Sequence, residues 1–249
     1  TCANDGTICG WDIATAKGGG ITPTYFASRG ESAVADVQYS PQCPFTICAA
    51  GDDKALVFWD LRTQGDKCSQ VVENAHDGDI NALAYPNFGE DDQFRLLSAS
   101  ADRTVKLWDT RQLSKPVHTF KTEGDCVQVQ WCPHDADVFV TCGADRGPKF
   151  WDVSRIGASV EPDSDEDEPA PPELVFAHGG HKAPVSDFSL SPNESWLAAS
   201  VSEDNVLQVA WVSEAIFGDV EGDGEDVGTG WQSGGGAAPA AAAAAPAAA

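Results

Sequence analysis

Five stretches of this chain repeat one pattern. They are "TCANDGTICGWD" (1–12), "CAAGDDKALVFWD" (48–60), "LSASADRTVKLWD" (97–109), "VTCGADRGPKFWD" (140–152) and "SVSEDNVLQVAW" (200–211). Each runs from small and apolar residues through an Asp-centred turn into an alternating apolar stretch that ends on Trp. Trp11, Trp59, Trp108 and Trp151 are separated by 48, 49 and 43 residues. In those four copies the turn residue (Asp5, Asp53, Asp102, Asp145) precedes its Trp by six positions. A period of 40–50 residues with a Trp-Asp ending fits the four-stranded blades of a β-propeller. A small-Asp-x turn suits a tight antiparallel connection, because short polar side chains tolerate the backbone it needs. In "TVKLW", Val105 and Leu107 share one face of a strand and Lys106 takes the other.

In the last copy Asp204 precedes Trp211 by seven positions, with Ala210 reading as the inserted residue. One extra residue turns everything beyond it to the opposite face. The expectation is a β-bulge around Val209 and Ala210, or a locally irregular final strand; otherwise Trp211 is not the blade Trp. The pattern as a whole resembles WD-repeat architecture. That resemblance implies a buried network joining each turn Asp and Trp to an upstream His, here His76 and His181.

The fold class expected is all-β: a WD-repeat β-propeller, incomplete in this chain. A stub (1–12) is followed by four blades at about 22–62, 70–111, 117–154 and 174–213, against the seven blades common in closed rings of this class. Four blades leave two apolar faces uncovered, which reads as a fragment with further blades upstream or as an associating chain. The propeller spans 1–218, interrupted by an acidic Pro-Pro loop at 157–175. An acidic Gly-rich and then Ala/Pro-rich tail fills 219–249 and reads as disordered. "SEAIFG" (213–218) reads as a short amphipathic helix capping the last blade.

Composition narrows the partners. Lys and Arg number 15 against 39 Asp and Glu, a formal charge of −24. Such a chain repels phosphate backbones, so no direct nucleic-acid binding is expected, and basic partners are favoured. No apolar run reaches the length of a transmembrane helix, and no membrane association is expected. The eight cysteines lack zinc-finger or C-x-x-C spacing and read as reduced thiols of an intracellular protein. His178 and His181 in "HGGH" have no evident third metal ligand, and no Gly-rich phosphate loop is present, so no metal or cofactor is expected. His76, Asp102 and a nearby Ser look like a triad on paper. In this repeat they read as structural, so no enzymatic activity is expected.

The segments "DVSRIG" (152–157), "CVQVQWCPHDADVF" (126–139) and "DEPAPPELVFAHGGHKAPVSDFSLSPNESWLAASVSEDNVLQV" (167–209) carry a closer resemblance. They are similar to the retinoblastoma-binding family of histone-binding WD-repeat proteins. These are small subunits shared by chromatin assembly, deacetylase, remodelling and Polycomb complexes, which implies a nuclear histone-binding scaffold. The likeness implies a side site for the first helix of histone H4. Its acids are Asp165, Asp167 and Glu168, followed by Pro171, Pro172, Glu173 and Leu174, with Phe176, Ile216 and Phe217 as an apolar wall. Ala177 is smaller than the family's residue there, and the N-terminal clamp helix of the family has no counterpart. The likeness also implies a channel-mouth site for the basic tail of histone H3, at Asn81, Asp125 and Glu203. Ala35, Val127 and Pro184 depart from the family pattern at that mouth. Two alternatives remain open. The Trp-Asp-x-Arg endings at Arg62 and Arg111 resemble those of cullin ubiquitin-ligase substrate receptors, and ribosome-assembly WD-repeat chaperones are relatives.

Overall fold

The computed structural model describes residues 1–11, 23–28, 30, 32–63, 68–86, 93–158, 170–213 and 216. Thr1–Phe217 form one compact unit; Gly218–Ala249 form a second that lies outside the described residues.

The described strands make five antiparallel sheets. The first pairs β1 (Thr7–Trp11) with β2 (Pro23–Ser28). The second holds β3 (Val34–Tyr39), β4 (Thr46–Gly51), β5 (Leu56–Asp60) and β6 (Gln70–Val72). The third holds β7 (Ile80–Ala84), β8 (Arg95–Ser100), β9 (Thr104–Asp109) and β10 (His118–Lys121). The fourth holds β11 (Cys126–Trp131), β12 (Val138–Gly143), β13 (Lys149–Asp152) and β14 (Leu174–Ala177). The fifth holds β15 (Val185–Leu190), β16 (Leu197–Ser202) and β17 (Leu207–Trp211). This is the all-β, incomplete propeller that the repeats predict, with one difference of phase. The opening strand of each sequence repeat pairs with the sheet before it: β2 with β1, β6 with β5, β10 with β9 and β14 with β13. The sheets are therefore offset from the repeats by one strand.

Four apolar layers lie between successive sheets. Ile8 and Ala27 meet Ile47, Val57 and Trp59 between the first and second sheets. Leu56 and Phe58 meet Ile80, Leu96 and Trp108 in the next layer. Val105, Leu107 and Phe120 meet Val129, Phe139 and Trp151 in the third. Each of these layers holds the indole of its following sheet, and a buried Trp contributes on the order of 5 kcal/mol of transfer free energy before entropic costs.

The layer between the fourth and fifth sheets has no buried indole from its following strand β17, and Trp196 packs on it only partly buried. Trp211 is 68% exposed, whereas Trp59, Trp108 and Trp151 are 1, 2 and 1% exposed. The expected bulge at Val209 and Ala210 does not form. β17 pairs with β16 in unbroken register, Ala199 opposite Val209, Ala198 opposite Ala210 and Leu197 opposite Trp211. Pairing is counted from the Asp204 turn, so Ala210 takes the position that Trp108 holds opposite Leu96. The inserted residue is absorbed by moving the indole to the other face, which keeps every ladder pair and gives up the burial. Trp211 is thus not the blade Trp.

Bulges do occur, at one equivalent place in four inner strands. The register of β3, β7, β11 and β15 slips at Ala35, Asn81, Val127 and Ser186. An extra residue in a strand bends it and re-aims a side chain. Of the expected helix at 213–218, only Ser213 and Ile216 are described, joined by an Ile216 N–H bond to the Ser213 carbonyl (3.1 Å).

Candidate functional site

The turns are built alike. The residue after the turn Asp has positive φ in all five copies: Gly6, Lys54, Arg103, Arg146 and Asn205. The left-handed region is unfavourable for Lys and Arg. At four of the turns the Asp carboxylate compensates by accepting the N–H two residues on: Thr7, Ala55, Thr104 and Val206, at 2.9–3.2 Å. At the other, the buried Asp145 instead pairs with Lys149 at 3.1 Å.

In the third sheet the turn extends into the expected network. The two nitrogens of His76 lie 2.9 Å from Asp102 Oδ2 and 2.7 Å from Ser98 Oγ, and Trp108 Nε1 donates to the same hydroxyl at 2.9 Å. Burial lowers the His76 pKa, against the opposing pull of Asp102. Burial acts to raise Asp102, yet bonds from Thr104, the Asp77 N–H and His76 hold it down to about 2. Ser98 is fully buried and its oxygen already accepts the indole N–H, so the trio is structural. In the fifth sheet His181 Nε2 keeps its 2.7 Å bond to Ser200, but Nδ1 has no hydrogen-bond partner among the described residues. Ala210 supplies no indole there.

The inner strands meet through side chains. Asp36 Oδ2 accepts the Leu83 N–H at 2.8 Å, Asn81 donates to the Cys126 carbonyl at 2.7 Å, and Trp131 donates to the Ala84 carbonyl at 3.2 Å. Between them lies a cavity of about 390 Å³ whose wall includes Asp36, Gln38, Asn81, Gln128 and Gln130. It is a polar trough along the channel wall. Its lining includes two of the bulged residues, Ala35 and Asn81, a device that sequence reasoning did not reach because the bulged positions share no residue type.

Of the residues expected at a channel mouth, Asn81 on β7 bonds the carbonyl of Cys126, the first residue of β11, and Asp125 directly precedes it. Asp125 lies 3.6 Å from Arg103. Glu203 sits in the turn between β16 and β17, its N–H bonded to the Pro184 carbonyl at 3.0 Å.

At the side of the fourth sheet, Leu174 N–H donates to the Pro171 carbonyl at 2.9 Å, closing a turn around the two prolines. Leu174 packs on the layer between the third and fourth sheets, while Phe176 and Ile216 pack on the layer between the fourth and fifth, with Trp196. Phe176 also meets Phe150 at 5.8 Å between ring centroids. Glu173 is buried, and its Oε1 lies 3.0 Å from His118 Nε2 on β10. Asp165, Asp167, Glu168 and Phe217 lie outside the described residues.

Arg62 and Arg111 stand at blade corners with matching geometry. Each guanidinium grips the Asp two residues back through two nitrogens, Asp60 at 2.6–3.2 Å and Asp109 at 2.7–3.2 Å. Arg62 sits over the Phe45 ring and Arg111 over the Phe94 ring. All eight cysteines are free, and burial pushes the Cys48, Cys126, Cys132 and Cys142 thiols up.

Stacked four-stranded sheets with inter-sheet tryptophans and a His-Ser-Asp-Trp network define a β-propeller of the interaction-scaffold class. The family model described as WD domain, G-beta repeat, matches residues 66–109 and 172–209. Those two segments are WD repeats. The second match stops at Val209, one residue short of the slip. WD repeats typically serve protein interaction and not catalysis.

Proposed function

We propose that this chain is a nuclear, histone-binding WD-repeat subunit of chromatin complexes, and that its side site takes the first helix of histone H4. The observation that carries the reading is the side of the fourth sheet. Phe176 and Ile216, distant in sequence, pack on one apolar layer. The run of six acids from Glu161 to Glu168 precedes the Pro171–Pro172 turn. An apolar wall with a run of acids shortly before it in the sequence suits an amphipathic basic helix. The likeness of 126–157 and 167–209 to the histone-binding family supports the same reading. At the channel mouth, Asn81 and Asp125 would meet the histone H3 tail. Arg103 beside Asp125, and Ala35 and Val127 at two bulges, make that site the weaker of the two.

The test is calorimetric titration of the 249-residue chain with a peptide of the histone H4 first helix. Replacing Asp165, Asp167 and Glu168 together with Ser should weaken binding by roughly tenfold and flatten its salt dependence. Equal affinities would remove the acidic cluster from the site.

A second reading, as substrate receptor of a cullin ubiquitin ligase, draws support from the matching Arg62 and Arg111 geometry. The opposing view is a plain corner ion pair, and the grip of Asp60 and Asp109 suits it equally well. Replacing both arginines with Glu should abolish co-purification with the ligase adaptor, and undiminished recovery would end this reading.

A further inference from the structure

We infer that His118 is a positioning residue of the side site, holding the Pro171–Pro172 turn through Glu173. This inference rests on the histone-helix reading above and assigns Glu173 a different part in it.

Glu173 follows the two prolines directly, yet its side chain is only 10% exposed and turns inward. Among the described residues its side chain meets His118 Nε2, at 3.0 Å. His118 belongs to the outer strand of the neighbouring sheet, paired with Leu107. Its ring is fixed from behind by an edge-on contact with the fully buried Phe120, 4.7 Å between centroids. The main chain of Glu173 is tied separately, its carbonyl accepting the Asp152 N–H at 2.8 Å. The turn is therefore held at two points, one on its own sheet and one on the next.

A buried carboxylate needs a donor, and removing that donor leaves the acceptor uncompensated. The carboxylate would then turn toward water and take the proline turn with it. Phe176 lies three residues on, so the apolar wall and the turn would lose their common register. A basic ligand gains nothing directly from Glu173 while His118 occupies it.

The test uses the full chain and two readouts. One is affinity for the histone H4 first-helix peptide. The other is hydrogen exchange at the Leu174 amide, which donates to the Pro171 carbonyl. His118→Phe should weaken peptide binding roughly tenfold, the order expected when a buried acceptor loses its donor, and should speed Leu174 exchange. His118→Gln and Glu173→Gln each keep a donor facing an acceptor and should stay within about twofold of wild type. The double variant His118→Leu/Glu173→Leu removes both polar groups. It should regain wild-type thermal stability, as paired removal is close to neutral, while binding stays weak. That separates positioning from support of the fold.

Wild-type affinity in His118→Phe, with Leu174 exchange unchanged, would overturn the inference. So would a Glu173→Gln variant that loses binding while the His118 variants keep it, since Glu173 would then touch the ligand itself. If the wild type does not bind the peptide but Leu174 exchange still responds to His118→Phe, the histone reading falls and the positioning stands.

Discussion

Each turn Asp spares its successor much of the strain of a left-handed backbone or anchors a neighbouring Lys, and in the third sheet it also carries a buried histidine. The protonation of that histidine has a definite sign. His76 is lowered by burial from its ordinary value near 6.5, and Asp102 is lowered from 3.8 to about 2. The unfolded chain therefore binds more protons than the folded one, and stability rises with pH. The His76 contribution is complete above pH 6.5 and is lost as pH falls below that value. That of Asp102 is complete above pH 3.8 and is lost as pH falls toward 2. Burial lowers His178 as well, so it acts in the same direction as His76. Urea midpoints should hold level between about pH 7 and 8, below the range where the buried thiols begin to count, and drop between roughly pH 6.5 and 5. In His76→Gln that drop should shrink to the His178 share, and an undiminished drop would show that His76 does not cause it. Spacing made the Asp and the Trp legible in the sequence, and His76 came from the resemblance to WD repeats. The left-handed conformation of Lys54, Arg103 and Arg146 was not legible, because neither residue type favours it; the flanking Asp is the only sign.

Among the elements, alternation and the Asp turns located the strands, but not which sheet each one joins. Pairing is non-local, and the opening strand of every repeat crosses to the preceding sheet. The bulges at Ala35, Asn81, Val127 and Ser186 were hidden because a bulge is set by what lies opposite the strand, and the four residues have nothing in common. At β17 the seven-residue spacing left two outcomes, a bulge or a Trp211 outside the blade slot, and the structure takes the second. Five unbroken pairs with β16 outweigh the burial of one indole. The layer between the fourth and fifth sheets can therefore be improved. Ala210→Trp combined with Trp211→Asp would restore the Trp-Asp ending in the observed register. The new indole N–H would reach Ser200, as Trp108 reaches Ser98. Losing a core Trp to Ala costs about 3–5 kcal/mol, so recovering part of that should raise Tm by roughly 4–8 °C. An unchanged or lower Tm would mean that the sheets have closed over the slot.

For the molecule as a whole, a charge of −24 acts over long range while the side site acts by contact. The general charge should speed encounter with any basic partner, and it is screened by salt. The apolar wall of Phe176 and Ile216 is not screened in that way. A histone helix held by both should bind more weakly at high salt without losing binding altogether. The general acidity of the chain is evident from composition, as is the place of the acid run before the prolines. That Glu173 serves the scaffold could not be read there, since its partner His118 lies 55 residues away on another sheet. The most direct measurement is the titration with the histone H4 first-helix peptide, run at about 50 and 300 mM salt, Debye lengths near 14 and 6 Å. The account predicts saturable binding at both, several-fold weaker at the higher salt, with the Asp165/Asp167/Glu168→Ser variant showing the smaller change. No binding at low salt, or binding that the variant leaves untouched in strength and salt response, would contradict it.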